Sequence, residues 1–421
     1  MRGCRCSVIM ETMRNIVIIG GGAAGVMAAG SAAEHGASVF LVEKNDGLGK
    51  KLLITGGGRC NVTNTADVGD FVRSVPRNPK FLYCSLHNFG SQALRDFLHE
   101  HGLATKVEED GRVFPVSDVA ADVLCTFENY LKRRGVNVML NVSVTQILPR
   151  GANDFLVLLT DGRKIDANSI IIATGGLSYP NTGSTGDGHR LAQGLGHNVT
   201  KLYPSIVPLV VETPSVTGLM GLALPEVGLI VKCDGKTIYK DYGDIIFTHF
   251  GLSGPMMLRA SAHLAKKLHL GCEFYLDFAR RLSEKSLEDS ILETFVQNPN
   301  KDVKNALDRL FAGRLVSELL AISNIECSEK SGRITKERRK TLCRRIKHFK
   351  LTVTGSVGFG AAVVTCGGVD CSEIDPSTME SKLIKSLYFA GEVMDVDALC
   401  GGYNLTIAFS TGWLAGRSAA L

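Results

Sequence analysis

Three glycines and a distant acid are the residues in this sequence with the clearest chemistry. The run Gly-Gly-Gly-Ala-Ala-Gly at residues 20–25 follows an apolar segment and precedes an alanine-rich stretch. In the G-x-G-x-x-G pattern, such glycines allow a tight turn, the approach of a pyrophosphate and close packing of a helix on a strand. Glu43 ends the next apolar run, where a carboxylate can accept hydrogen bonds from an adenosine ribose. The sequence therefore predicts a dinucleotide site, and the acid favours FAD or NAD over NADP.

Three later segments supply the other half of a flavin dinucleotide. Residues 173–176 end an apolar run in two glycines, which permit close approach of a ligand. Residues 388–395 place a glycine and a carboxylate after a strand-like run, where a ribityl chain and a second phosphate could lie. Residues 401–404 open a final helix whose N–H groups could face the N1/C2=O edge of a flavin. Their joint order favours FAD over NAD.

Regular elements are predicted around these motifs. Helical spacing of apolar residues covers residues 91–102 and 118–134, and apolar runs at 136–140, 142–148 and 170–173 predict strands. Residues 155–165 predict a β-hairpin around Asp161-Gly162. After about residue 197, prolines such as Pro225 separate short β-type runs, and residues 282–349 have charged helical patterning. These elements indicate a dinucleotide domain that the C-terminal segment completes.

Together these motifs resemble the BaiN/YhiN-type family of FAD-dependent oxidoreductases, which includes aminoacetone-oxidase-like members. The segments that carry the resemblance span nearly the whole chain from residue 15, and the Gly-Gly-Gly-Arg-Cys-Asn run is the most specific; they are residues 20–25, 50–64, 173–188, 247–255, 365–369 and 387–416. Two positions depart from the family pattern. Lys50 stands where the family usually has Arg, and Cys400 where Thr is more usual.

The resemblance implies an α/β fold. We expect a discontinuous Rossmann-type FAD-binding domain that carries an inserted β-rich, barrel-like domain and a small helical domain. The expected boundaries are residues 15–196 and 355–421 for the FAD domain, 197–281 and about 350–354 for the β-rich domain, and 282–349 for the helical domain.

The motifs and the resemblance together predict residues that line a non-covalent FAD. Val144 is expected to meet the adenine through its backbone. The predicted set is Gly20, Gly22, Ala23, Ala24, Gly25, Glu43, Lys44, Lys50, Arg59, Cys60, Asn61, Val144, Thr174, Gly175, Gly391, Glu392, Asp395, Gly402, Tyr403 and Asn404.

Candidates for acid–base chemistry are few. His249 is the best of them because a neutral imidazole can accept a substrate proton, although it could instead hydrogen-bond the backbone. Tyr179 could bind a substrate above the flavin ring. Arg59 could be a cation near flavin or a member of a salt bridge, and Cys60 is interpreted as a buried structural thiol. Asp187 is predicted to cap the helix that follows it.

The composition limits the kinds of partner and cofactor that are expected. A net charge of +5 over 421 residues is small, so neither a nucleic-acid nor a membrane partner is expected. Twelve cysteines without a C-x-x-C pair or a Cys/His cluster predict reduced thiols, no metal and a cytoplasmic enzyme. Residues 1–13 are excluded from the predicted fold, with Met10 or Met13 as the alternative start. The basic residues 333–350 are interpreted as a solvated helix face rather than a surface for RNA or an acidic protein.

The predicted function is hydride transfer between a small organic substrate and a non-covalent flavin. No second G-x-G-x-x-G unit is present, so NADH or NADPH would act as a transient donor near the flavin. Reduction of a C=C bond by NAD(P)H and an amine-oxidase-like reaction with oxygen both remain open. An FAD-stabilised module that binds RNA or protein and an NAD-only dehydrogenase are the alternatives from other classes.

Overall fold

The chain forms two compact units in its described part. The computed structural model describes residues 13–212 and 218–421, so the prediction for the N-terminal leader falls almost entirely outside it. One unit contains the chain up to Leu202 and again from Val364 to Leu421, and the other is the continuous segment Tyr203–Val363. Each unit has its own cluster of buried apolar residues.

The strands are numbered in chain order. They are β1 Asn15–Ile19, β2 Ser38–Val42, β3 Thr63–Asn64, β4 Thr105–Val107, β5 Arg112–Pro115, β6 Asn137–Met139, β7 Val144–Gly151, β8 Asp154–Leu159, β9 Lys164–Ala167, β10 Ser169–Ile172, β11 Tyr203–Ser205, β12 Leu209–Val211, β13 Ala223–Cys233, β14 Lys236–Phe247, β15 Gly251–Ser253, β16 Cys272–Asp277, β17 Phe349–Ser356, β18 Val364–Cys366 and β19 Leu387–Phe389.

The α-helices follow the same numbering. They are α1 Ala23–Glu34, α2 Lys50–Ile54, α3 Val68–Arg73, α4 Tyr83–Asn88, α5 Ser91–Glu100, α6 Ala120–Arg133, α7 Asp187–Gly194, α8 Pro255–Leu264, α9 Glu284–Gln297, α10 Val303–Leu307, α11 Gly313–Ala321, α12 Lys336–Lys347 and α13 Tyr403–Ala420.

A parallel sheet forms the centre of the first unit. Its strand order is β19-β10-β1-β2-β6, and every pairing is parallel. The central strands β1 and β10 are almost entirely apolar and buried, as expected where both faces of a parallel sheet are covered. Because the strands are parallel, the loops after β1, β2, β10 and β19 leave the same edge, which is where ligands bind in folds of this class.

Helix α13 belongs to the same core as the N-terminal α1. A Cβ placed on Gly412 or Gly416 would overlap the carbonyl oxygen of Ala24 or Ala28, respectively. The two helices can approach this closely only because these α13 positions lack side chains. The C-terminal segment therefore completes the domain that the N-terminal segment begins.

The second unit is built on a closed antiparallel barrel. Its strand order is β12-β15-β14-β13-β16-β17, and helices α9 to α12 lie between β16 and β17 in the chain. The predicted fold class, a Rossmann-type domain with an inserted β-barrel and helices, is confirmed.

Three local predictions are wrong. Asp187 is the first residue of α7 rather than its cap, because the N-cap is Gly186. The Asp187 carboxylate instead accepts a hydrogen bond from Lys44 Nζ. Pro225 does not end a strand, because β13 continues through it. The register shifts between Leu224 and Val227, and at such a bulge the strand needs no N–H donor from the proline. The thiols are not all reduced, because Cys233 and Cys272 form a disulfide between the neighbouring strands β13 and β16.

Candidate functional site

The three glycines of the G-x-G-x-x-G pattern have different structural roles. Gly20 has a φ of +103°, and a Cβ there would lie 2.7 Å from the carbonyl oxygen of Ala173. A Cβ on Gly25 would overlap the carbonyl oxygen of Gly20, so the helix can pack on the turn only without it. A Cβ on Gly22 would meet no heavy atom of the described residues within 4 Å. Gly20 and Gly25 are therefore required by the fold, whereas Gly22 borders open space.

The start of α1 can receive an anion at that open space. Gly22 is the N-cap and makes no side-chain capping hydrogen bond. The N–H groups of the first turn, on Ala23, Ala24 and Gly25, have no acceptor within the helix. Together with the helix dipole, they form the arrangement that binds a pyrophosphate in dinucleotide folds.

Glu43 is held at the end of β2 by two backbone N–H groups. Its Oε2 accepts a hydrogen bond from Gly21 N at 2.6 Å, and its Oε1 accepts one from Asn45 N at 2.8 Å. The residue is buried. Val142 N donates to the carbonyl oxygen of Glu43 at 3.2 Å, which brings the start of β7, with Val144, beside it. The carboxylate fixes the glycine turn and lies where the sequence predicts the ribose.

The two predicted lysines of this region form ion pairs. Lys44 Nζ lies 2.6 Å from Asp187 Oδ2, which joins the end of β2 to the start of α7. Lys50 Nζ lies 2.7 Å from Asp46 Oδ1 in a more exposed pair. Lys44 is therefore held by the fold, and Lys50 by a local i,i+4 contact.

The Arg-Cys-Asn segment is held by internal contacts. The guanidinium of Arg59 lies 2.7 Å from both Glu108 Oε1 and Asp118 Oδ1, and 3.9 Å from the centre of the Phe114 ring. Cys60 is fully buried, and burial raises the pKa of its thiol to about 12. These contacts agree with the salt-bridge interpretation of Arg59 and with the structural interpretation of Cys60.

Asn61 links this segment to the C-terminal glycines. With its amide oriented by its neighbours, the nitrogen donates to the carbonyl oxygens of Thr63 and Val113, and the oxygen accepts from Gly402 N at 3.0 Å. A Cβ on Gly402 would overlap the backbone of Thr63. The start of α13 therefore lies directly against β3.

The glycine turn after β19 lies against the start of α1. A Cβ on Gly391 would be 2.8 Å from the Cβ of Ala24, and Gly391 N donates to Thr411 Oγ1 at 2.9 Å. In the loop after β10, next to Gly175, the hydroxyl of Thr174 is buried and has no hydrogen-bond partner among the described residues. A cradle closed by glycines and an unpartnered hydroxyl together fit a bound dinucleotide.

Glu392 is the centre of a polar network that the sequence did not indicate. Its Oε2 lies 2.7 Å from Lys51 Nζ, and its Oε1 accepts from Ser178 Oγ at 2.7 Å and from Thr365 N at 2.8 Å. The Glu392 side chain is 19% exposed. Burial favours a raised pKa, but the ammonium of Lys51 and the other donors hold the pKa of Glu392 below its usual value. The carboxylate is thus occupied by the protein and ties four chain segments together.

The turn before α13 is held in the same way. The Asn404 side chain donates to the carbonyl oxygen of Ala398 at 2.7 Å and accepts from Ala398 N at 2.9 Å. Asn78 Nδ2 donates to the carbonyl oxygen of the buried Asp395 at 2.6 Å, and the Tyr403 ring packs on Phe71. Asn404 would therefore contribute to a ligand through its backbone N–H rather than through its amide.

The two candidate catalytic residues lie in different units. Tyr179 comes directly after Ser178, which donates to Glu392. Its φ is +52°, a conformation that non-glycine residues rarely adopt. His249 lies in the turn between β14 and β15, is exposed, and stacks edge-on against Phe250. Their catalytic roles stay predictions.

A serine, a histidine and a glutamate also lie in line in the first unit. Ser381 Oγ is 2.9 Å from His197 Nε2, and His197 Nδ1 is 2.9 Å from Glu373 Oε2. The hydroxyl of Ser381 accepts from Leu383 N and Ile384 N and is buried. A nucleophile needs a free lone pair and access to substrate, so this trio stabilises a loop and is not a hydrolase centre.

Neither a metal centre nor a membrane span is found in residues 13–212 and 218–421. These residues contain no cluster of three or more His, Cys, Asp or Glu side chains that could hold a metal ion. No helix among them is long and apolar enough to cross a membrane.

Comparison with known proteins shows the family of the chain. The family model described as HI0933-like protein Rossmann domain matches residues 14–418. A 3-dehydro-bile acid delta(4,6)-reductase of Clostridium scindens is 34% identical over 412 residues, covering 97% of this chain and 99% of the relative. A ribosomal RNA dihydrouridine synthase of Escherichia coli is 31% identical over 404 residues, covering 94% of this chain and 96% of the relative.

Solved structures agree with the fold. A 3-ketosteroid-delta4-(5alpha)-dehydrogenase from Rhodococcus jostii RHA1 superposes with a TM-score of 0.51 at 15% identity, covering 100% of both chains. At this identity the likeness concerns the fold alone. With its glycine cradle, its barrel insertion and its full-length relatives, the chain belongs to the HI0933-like Rossmann-domain family, the BaiN/YhiN type of FAD-dependent oxidoreductase.

Proposed function

We propose that this protein is an FAD-dependent reductase that takes electrons from NADH or NADPH and saturates a C=C bond conjugated to a carbonyl group. Among Gly20, Gly22 and Gly25, a Cβ would meet no heavy atom of the described residues within 4 Å only at Gly22, and this open space at the start of α1 supports a bound dinucleotide. The names of two relatives describe one chemistry, because a delta(4,6)-reductase and a dihydrouridine synthase both add two hydrogen atoms across a ring C=C bond. This shared reaction favours the reductase over an amine-oxidase-like enzyme.

The residues of the first unit have distinct proposed roles toward FAD. The N–H groups at the start of α1 would hold the pyrophosphate, and Glu43 the adenosine ribose. The turn at Gly391 would lie along the second phosphate, and the first N–H groups of α13 would donate to the pyrimidine edge of the flavin. When bound, FAD supplies hydride transfer, and the protein supplies orientation and electrostatics.

Reduction also requires a proton. In the overall reaction, a dihydronicotinamide gives a hydride to the β-carbon of the unsaturated carbonyl, and an acid gives a proton to the α-carbon. Tyr179 is the proposed acid because its hydroxyl has no hydrogen-bond partner among the described residues and its backbone is held strained beside Ser178. His249 is the alternative.

Anaerobic flavin reduction tests the proposal. The FAD-loaded protein is mixed with NADH or NADPH, and the loss of flavin absorbance is followed in a stopped-flow instrument. Reduced protein is then mixed with a 3-keto-Δ4 steroid, with uridine or with a panel of small amines. We expect bleaching by a nicotinamide, and reoxidation by at least one unsaturated carbonyl compound.

Other outcomes identify the alternatives. Bleaching by amines alone, with reoxidation by oxygen, would replace the reductase by an amine oxidase. A folded protein that stays colourless and takes up no flavin would indicate an NAD-only dehydrogenase. A flavin that no donor reduces would leave a binding module.

A further inference from the structure

The cations of the basic helix α12 fall into two groups, those that form ion pairs within the unit and those that do not. Leu342, Cys343 and Ile346 form its buried face, and the cations nearest that face are neutralised by acids of the same unit. Arg338 forms a bidentate pair with Glu329 at 2.7 Å, Arg339 lies 3.3 Å from Glu288, and Lys347 Nζ lies 2.7 Å from Asp277. These inner cations are part of the fold.

The outer cations of α12 have no such acids. Lys336, Lys340, Arg344 and Arg345 are exposed, and none of them has a carboxylate within ion-pair distance among the described residues. We call these four residues the outer basic face. Lys336, Lys340 and Arg344 follow one another at i,i+4 spacing, which places them about 6 Å apart along the helix axis. Glu337 is the one acid on this exposed side of the helix.

We propose that the outer basic face binds the phosphate backbone of RNA. A row of exposed cations that form no ion pair among the described residues suits a partner with regularly spaced negative charges. Phosphate contacts supply most of the affinity of sequence-independent binding. No aromatic side chain lies between these cations in α12, so the face would hold phosphates and not stack on bases. The proposal differs from the expectation, drawn from the small net charge, that the chain has no nucleic-acid partner.

The inference deepens the proposed function by naming a class of substrate. If the reduced C=C bond belongs to a uracil in an RNA chain, the enzyme must hold a polyanion that a steroid reductase does not meet. RNA binding is measured without turnover, so its failure is separate from failure of the reductase proposal, which the steroid and uridine experiments test.

Fluorescence anisotropy of the full-length FAD-loaded protein with a labelled RNA hairpin tests the inference. The triple variant K336Q/K340Q/R344Q should bind RNA at low salt on the order of ten- to a hundred-fold more weakly than the wild type. The slope of log affinity against log salt concentration should become shallower by about 2 to 3. Flavin reduction by the nicotinamide should be unchanged.

A matched triple variant controls for net charge. K236Q/K240Q/K285Q removes the same number of exposed cations from the same unit, and it should bind RNA as the wild type does. Equal RNA affinity of the α12 variant and the wild type would overturn the inference, as would equal losses in both variants. Equally tight, α12-dependent binding of heparin or of phosphatidylserine vesicles would also overturn it, because the face would then be a general polyanion or membrane surface.

Discussion

Glu43 serves the protein and the proposed ligand with one side chain. Its carboxylate fixes the glycine turn through Gly21 N and would also accept from the ribose. We predict that E43A weakens FAD binding about ten-fold or more, because hydrogen bonds to a charged group contribute about 1.5–3 kcal/mol. Flavin fluorescence titration measures the dissociation constant. E100A, which removes an exposed carboxylate at the end of α5, is the control and should bind FAD normally. Unchanged affinity of E43A would remove Glu43 from the site.

Glu392 should affect stability in a pH-dependent way. Its folded-state pKa is depressed, so its contribution is present above the unfolded pKa, near 4.5, and is lost as the pH falls through the folded value. We predict that E392Q lowers the free energy of unfolding by about 1–3 kcal/mol at pH 7, because Lys51 loses its partner. The difference between wild type and variant should shrink below about pH 4.5.

Urea unfolding at a series of pH values measures this difference. D70N, which removes the exposed carboxylate of a surface pair with Arg73, is the control and should change stability little. A stability difference for E392Q that stays constant down to pH 3 would show that its carboxylate is not a depressed, paired group.

Cys60 should be chemically inert in the native protein. Burial raises the pKa of its thiol to about 12, and only the thiolate reacts with alkylating reagents. At pH 8 we expect iodoacetamide to label exposed thiols such as Cys125 and Cys327 and to leave Cys60 unlabelled until the protein unfolds. Peptide mass spectrometry reads the positions. Rapid native labelling of Cys60 would revive a redox role for it.

At the scale of elements, different glycines near the turn between β1 and α1 are expected to serve folding and ligand binding. A Cβ on Gly25 would overlap the carbonyl oxygen of Gly20, whereas one on Gly22 would stand in open space. We predict that G25A destabilises the protein by several kcal/mol, since overpacking against backbone cannot relax easily. G22A should fold with nearly wild-type stability but lose most of its FAD affinity, because the methyl group would occupy the place of the pyrophosphate.

Thermal unfolding without FAD and flavin titration together make this test. G151A, at an exposed glycine of β7 where a Cβ would meet no heavy atom of the described residues within 4 Å and φ is not positive, controls for the general cost of a Cβ at a glycine. Wild-type FAD affinity in G22A would show that the open space beside Gly22 does not hold the pyrophosphate.

At the scale of the whole molecule, the chain has two units with separate cores. The proposed FAD ligands all belong to the first unit, although they come from chain segments on both sides of the barrel insertion. We predict that saturating FAD slows amide hydrogen exchange in residues 20–25 and 391–404 and leaves the barrel strands β13 and β16 unchanged. Equal protection of both units would contradict a site confined to the first.

Several parts of this protein could be predicted from its sequence. The strand, glycine turn, helix and terminal acid at residues 15–43 are contiguous, so their pattern encodes both the local structure and the ADP-binding chemistry. The parallel sheet, the β-rich insertion and the charged helices also follow from periodicity, because hydrophobic patterning reports which face of an element is buried.

Only the tertiary structure decided which polar groups are already used by the fold. Lys51 and Glu392 are 341 residues apart in the chain, yet their charged atoms lie 2.7 Å from each other. The sequence assigned Glu392 to FAD, but the structure shows its carboxylate occupied by protein partners. It also distinguished the inner cations of α12 from the outer ones. Periodicity places a side chain on a face, but hydrogen bonds and ion pairs depend on distances that arise only when remote segments pack together.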